Sequence, residues 1–262
     1  MLTDMAPLLF DTHAHYDDEA FDGDRDGLLA ALPGRGVGRI VNPGCTVASS
    51  RQAVALAARF DHVYAAVGIH PENCGDYQPS FIDELRQLAK QPKVVAIGEI
   101  GLDYYWAENP PRELQHRVLR DQLALAAELD LPVILHDRDA HADTLAIVEE
   151  FPQVTGVFHC FAGSVEMGRA LVEMGWYLGF NGAATFKNAR KAPEVIADAP
   201  LSRLVIETDS PPLPPVPYRG PRNDSGYVRL VAERIAAIRG MDVEEVIRAT
   251  WENGCRLFRM DH

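Results

Sequence analysis

The sequence contains no apolar stretch approaching the ~18 residues of a membrane span, so no membrane-crossing helix is expected. Its opening, MLTDMAPLLF, has neither a basic leader nor a long apolar region, and no secretory signal is expected there. Cysteine is scarce. Cys45, Cys74, Cys160 and Cys255 are widely scattered with no Cys-x-x-Cys pair, which argues against a disulfide framework and fits the reduced thiols of a cytoplasmic protein. Positive charge is also short: 25 Lys and Arg face 38 Asp and Glu, for a net charge of −13. Proteins that coat nucleic acid through many phosphate contacts are usually basic, so extensive duplex wrapping is excluded. Nucleic acid is compatible with this balance only as a substrate gripped locally, at an end or a short single strand, near bound cations. Low-complexity segments, linkers, a Gly-x-Ser-x-Gly nucleophile elbow and a phosphate-binding lysine loop are all missing. The one glycine-rich run, GRGVG at Gly34 to Gly38, precedes its strand rather than following it, so it cannot cradle a dinucleotide phosphate.

What is present is a recurring unit: a short apolar run, a polar junction, then an amphipathic helical stretch. The 47% hydrophobic and 24% charged residues are an ordinary globular balance. The expected strands are PLLFD, GRIVNPG, HVYAAVG, KVVAIGE, LPVILH, TGVFH, GWYLGF and RLVIETD. They read as continuous apolar runs, as strands buried on both faces do. Helices are expected over Asp24 to Leu32, Ala48 to Phe60, Ser80 to Lys90 and Arg112 to Leu129. They continue over Asp139 to Glu150, Val165 to Met174, Lys187 to Ala199, and Tyr227 to Phe258 with a break near Gly240. Eight alternations predict an α/β protein, a TIM-like (β/α)8 barrel forming a single domain over residues 1–262. An open doubly wound sheet is the alternative.

The junctions after the strands are rich in ionisable residues. His13 and His15 follow the first, His70 the third, Glu99 and Asp103 the fourth, His136 and Arg138 the fifth, His159 the sixth, Glu207 and Asp209 the eighth. Residues i and i+2 of an extended segment share a face, so His13 and His15 should aim together, with Asp11 on the same side. Singly, each histidine has an ordinary structural explanation as a cap or turn residue. In a barrel, however, these junctions converge on one mouth, and neutral imidazole is the commonest protein metal ligand. Four histidines and two carboxylates exceed the ligand set of a single catalytic zinc and suit two ions ~3.5–4 Å apart with a bridging hydroxide. The expected sets are His13, His15, Glu99 and Asp209 for one ion, and Glu99, His136 and His159 for the other.

The ordered set DTHAH, GIHP, IGEIGLDYY, QLALAAELDLPVILHDRDA, FHCFAGS, ETDSP and RGPRN resembles the TatD family of metal-dependent nucleases, within the wider amidohydrolase-like group. The similarity runs from about Leu9 to Phe258, in the family's order. The resemblance implies a TIM-like barrel, hydrolysis of nucleic-acid phosphodiesters as a deoxyribonuclease with exonuclease character, and the same ligands: His13, His15, Glu99, His136, His159 and Asp209. Two departures bear on substrate preference: Pro212 stands where the family commonly has an aromatic, and Asn223, Asp224, Ser225 replace an Asn-Glu-Pro-like segment.

In the expected reaction an activated hydroxide attacks phosphorus in line, with Glu99 bridging the ions and Asp209 as base. The physiological cation is left open among Zn, Mg, Mn, Fe and Ni. For substrate binding, His70, Arg138, Arg219, Arg222 and Asn223 are candidates for phosphate, and Tyr104, Tyr105 and Trp106 for base stacking; each has an ordinary surface or packing role as its alternative. Asp103 is read either as the orienting partner of a ligand histidine or, preferred, as the start of the next helix. Cys160 beside His159 lacks a catalytic base and is not expected to be a nucleophile. Hydrolysis of a small amide, lactone or ester on the same centre is the competing activity, and a non-enzymatic metal scaffold a third reading. No obligate protein partner is inferred.

Overall fold

The computed structural model describes residues 8–261. Pro7, the first residue of the expected PLLFD strand, lies outside them. Eight parallel strands follow one another around a single sheet in chain order. They are β1 (Leu9–Asp11), β2 (Val37–Pro43), β3 (Val63–Val67), β4 (Val94–Asp103), β5 (Val133–Arg138), β6 (Gly156–Phe158), β7 (Tyr177–Phe180) and β8 (Leu204–Ile206). The helices are α1 (Arg25–Ala31), α2 (Val47–Arg59), α3 (Ser80–Ala89), α4 (Arg112–Leu129), α5 (His141–Glu149), α6 (Val165–Glu173), α7 (Lys191–Asp198), α8 (Val228–Arg239) and α9 (Val243–Leu257). The TIM-like barrel is therefore the architecture, and the open-sheet alternative is set aside by the return of β8 to β1. Just past the strand ends, Thr12 N–H donates to Ile206 O (3.1 Å), Asp209 N–H to His13 O (2.8 Å) and His15 N–H to Ser210 O (2.9 Å).

Local chemistry sets the element ends. Thr46 and Ser49 form a reciprocal capping box at the start of α2, and the Ser164 and Asp242 side chains cap α6 and α9. Gly240, at a left-handed φ of 63°, terminates α8 where the break was expected. Two expectations shift. β4 runs four residues beyond Glu99, and α7 begins at Lys191, after a short helical turn over Gly182–Thr185 capped by Asn181 and an irregular stretch over 186–190.

The outward faces of the strands pack on the helices in one large core. The lumen is filled separately, by one residue from each strand: Phe10, Val41, Ala66, Ala96, Ile134, Val157, Tyr177 and Val205. Trp251, Cys255, Leu257 and Phe258, from α9 and its end, close this layer from below. Because side chains alternate across a strand, the next inward positions toward the carboxyl end are two residues further on. Those positions include His136, His159 and Glu207.

A candidate metal centre

Glu99 is the hub. It sits on β4 with only 2% of its surface exposed, and its two carboxylate oxygens face different partners. Oε2 lies 3.2 Å from Nε2 of both His13 and His15. Oε1 lies 2.8 Å from His159 Nε2, 3.1 Å from His136 Nδ1 and 3.3 Å from His70 Nε2. Asp209 Oδ1 completes the first group, 3.5 and 3.7 Å from the His13 and His15 nitrogens. Local backbone geometry makes this convergence possible. Gly101, with φ of 150°, lets β4 press against β5, where a Cβ would collide with the His136 carbonyl. At Gly179 a side chain would run into Glu207.

The donor chemistry fits divalent cations. His13 and His15 bring their Nε2 atoms within 3.0 Å of each other, and His136 Nδ1 and His159 Nε2 approach to 3.2 Å. Lone pairs of neutral imidazoles repel at such distances unless a proton or a cation lies between them. Burial opposes ionisation of Glu99, yet His159, His13 and His70 hold its carboxyl well below the ordinary range. Burial also opposes charge on His136 and His159. For His136, hydrogen bonds to Asp103 and Glu99 prevail and carry it up to about 9; for His159, Glu99 and Glu207 prevail and raise it well above the usual value. A cation bound to these imidazoles would compete with the protons that the carboxylates favour on His136 and His159.

Behind the hub histidines stand two further carboxylates, Asp103 and Glu207. Asp103 Oδ2 lies 2.8 Å from His136 Nε2, while its Oδ1 accepts the Tyr105 N–H and an Asn109 Nδ2 hydrogen. The preference for a merely helix-starting Asp103 is thus corrected: the side chain shapes the turn and also fixes the imidazole. Glu207 stands behind His159 more loosely, with Oε1 3.4 Å from Nδ1 while it accepts the Cys160 N–H at 2.6 Å. The orienting role of Glu207 was missed from sequence, although its spacing two residues before Asp209 was the available signal. Asp11 is a further correction. It turns away from the rim, where Thr208 N–H, Thr208 Oγ1, Ser225 Oγ and His13 N–H donate to it. Burial pushes its carboxyl up to about 7 against those four donors.

The expected substrate residues fare unequally. His70 reaches the hub. Arg138 is exposed and stacks 3.6 Å over Tyr105, near Trp106, at the rim. Arg219 stacks on Phe186, 3.7 Å from its ring centroid. Asn223 has no exposed surface; its amide donates to Thr208 O and Pro212 O, so it braces the loop carrying Asp209 and does not meet substrate. Arg222 is held by a two-pronged pair with Asp24 and is not a free clamp. Tyr104 is tied to Asp143 through its hydroxyl at 2.6 Å. Ser225, at one of the departures noted above, bonds Asp11 and receives the Tyr16 hydroxyl. Burial pushes the Cys160 thiol up to about 12, which keeps it protonated and a poor nucleophile. The cleft over the hub, about 500 Å³, is lined by Asp17, Asp18, Glu72 and Pro212 besides the hub residues, with no Lys or Arg.

A family model described as TatD related DNase matches residues 10–259. The uncharacterized metal-dependent hydrolase YabD of Bacillus subtilis is 43% identical, covering 97% of this chain and 100% of its own length. The 3'-5' ssDNA/RNA exonuclease TatD of Salmonella typhimurium is 34% identical, covering 96% and 99%. Among solved structures, YjjV, a TatD homologue from Escherichia coli K12, superimposes with a TM-score of 0.90 at 33% identity, covering 97% of this chain and 98% of that one. Barrel, histidine–carboxylate hub and full-length relatives agree, and the chain belongs to the TatD family of metal-dependent hydrolases.

Proposed function

We propose that this protein hydrolyses phosphodiester bonds of single-stranded nucleic acid, working from an end, with two divalent cations held by His13, His15, Glu99 and Asp209 and by Glu99, His136 and His159. The observation that carries the proposal is the division of labour at Glu99, whose two oxygens face two separate imidazole groups, His13 with His15 and His136 with His159 and His70. Divalent cations, if bound by these residues, would acidify a water and offset charge on the phosphoryl oxygens. The side chains do the rest. Asp103 holds His136 in a fixed orientation, and the Glu207 carboxylate lies 3.4 Å behind His159. Asp209, whose Oδ1 lies 3.5 and 3.7 Å from the His13 and His15 nitrogens, is the carboxylate placed to take a proton from the attacking water. His70 Nε2 stands beside the hub, placed to donate to a phosphate oxygen.

A single-stranded oligonucleotide labelled at either end, incubated with protein reconstituted in a series of metals, tests this reading. Stepwise release of nucleotides from one end, abolished by chelation, is expected; absence of cleavage with every metal refutes it. One observation favours a second reading. The cleft over the hub carries Asp17, Asp18 and Glu72 and no cation, which suits a neutral amide, lactone or ester. Turnover of a carbonyl substrate panel without oligonucleotide cleavage would select that activity.

A further inference from the structure

The rim of the hub is electrically lopsided. On the β1–β3 side stand Asp17, Asp18 and Glu72, which repel a phosphate chain. On the β6–β8 side a second cavity, about 390 Å³, opens at Cys160, the residue next to His159. Its volume falls within the ~300–1,000 Å³ of small-ligand sites. Phe161, Phe180 and Phe186 form apolar walls, and Asn181 and Asn188 contribute polar edges. Arg190 and Lys191 line it, and Arg219 covers one face of Phe186. None of these three cations is within ion-pair distance of a carboxylate among the described residues, whereas Arg222 nearby is taken up by Asp24. An aromatic slot with unpaired cations at its edge, one residue from a ligand histidine, is the complement of a nucleotide: a flat apolar base on an anionic backbone.

We propose that this cavity between the β6–α6 and β7–α7 loops accepts a terminal base of the single strand whose phosphodiester is presented to the hub, with Arg190, Lys191 and Arg219 on the adjoining phosphate. The proposal rests on the nucleic-acid reading above and adds a direction to it: the strand leaves the hub over β7, away from the acidic wall.

Binding, independent of turnover, tests the site. Metal-loaded protein is titrated with short fluorescent single strands linked by hydrolysis-resistant phosphorothioates, either complete or abasic at the 5' or the 3' terminus. Loss of the base at one terminus, and not the other, is expected to weaken binding roughly tenfold. Ala183→Trp, which fills the slot, should erase the difference between complete and abasic strands, with metal content and melting temperature reporting an intact fold. Arg190→Glu, a surface change that cannot disturb packing, should weaken both strands and flatten the salt dependence. Equal affinity for complete and abasic strands, or a base preference that survives Ala183→Trp in folded protein, overturns the proposal. A base preference in a protein that cleaves no oligonucleotide supports the site and counts against the hydrolytic reading alone.

Discussion

The lumen of this barrel has two storeys built from the same strands. In the lower one Ile134, Val157 and Val205 belong to a ring of eight apolar side chains sealed from below by α9. One inward step further, the same strands present His136, His159 and Glu207, each with an ionic partner. The change from inert packing to reactive cluster therefore requires no change of architecture, only of residue type two positions along. The lower storey is stable by itself, because apolar burial needs no partner. In the upper one every group is costly to bury alone and tolerable only through its neighbours.

That contrast can be broken from above. Glu99→Gln removes the charge that both imidazole groups share; metal analysis should find less than the wild-type content, and activity should fall by at least ~10³-fold, the scale of losing acid–base and metal assistance together. Asp209→Asn should lower kcat by roughly 10²–10⁴-fold with the fold intact, as read by steady-state kinetics beside a thermal melt. Ile134→Ala attacks the lower storey instead: denaturant unfolding should show a loss of about 2–5 kcal/mol while metal content per folded molecule is retained. Asp103→Asn frees His136 from behind, and metal affinity should drop about 10–100-fold in a competition titration with a chromophoric chelator. The smallest effect lies outside the lumen. Asp137 sits 2.7 Å from His141 Nδ1 and raises its pKa above the ordinary 6.5. The stabilisation is fully present below pH about 6.5 and is lost as pH rises through the raised value. Since His141 is partly exposed, His141→Gln should remove less than about 1 kcal/mol, visible as a flatter plot of melting temperature against pH.

Most of the barrel is legible in the sequence because strands buried on both faces are uninterrupted apolar runs, and α4 falls on Arg112–Leu129 as its periodicity predicts. β4 is the instructive exception. Its last four residues, Ile100–Asp103, follow the strand into the lumen's upper storey, where Gly101 and Asp103 replace the apolar signature. The convergence of His13, His15, Glu99, His136, His159 and Asp209 is legible for the complementary reason: ionisable residues at the ends of apolar runs meet at one mouth of the barrel. The supporting groups are not, because a side chain's direction depends on distant partners. Asn223 and Asp11 are spent on loop carbonyls and on loop donors near Thr208, and Arg222 on Asp24, 198 residues away. No local pattern announces such pairings. Glu207 and Asp209 illustrate the limit at close range, since both face inward and only the coordinates tell the orienting carboxylate from the one that meets the imidazoles directly.

The seam between the first and last strands joins at Asp209 and His13 themselves, backbone to backbone. Ring closure and the meeting of His13 and His15 with Asp209 are consequently one event, not two. A molecule whose N-terminal strand has peeled off keeps most of its helices and the Glu99, His136 and His159 group, yet loses the half of the cluster that His13 and His15 supply. Loss of activity on mild destabilisation should therefore precede loss of helical signal, with the margin set by how firmly that single short strand is held.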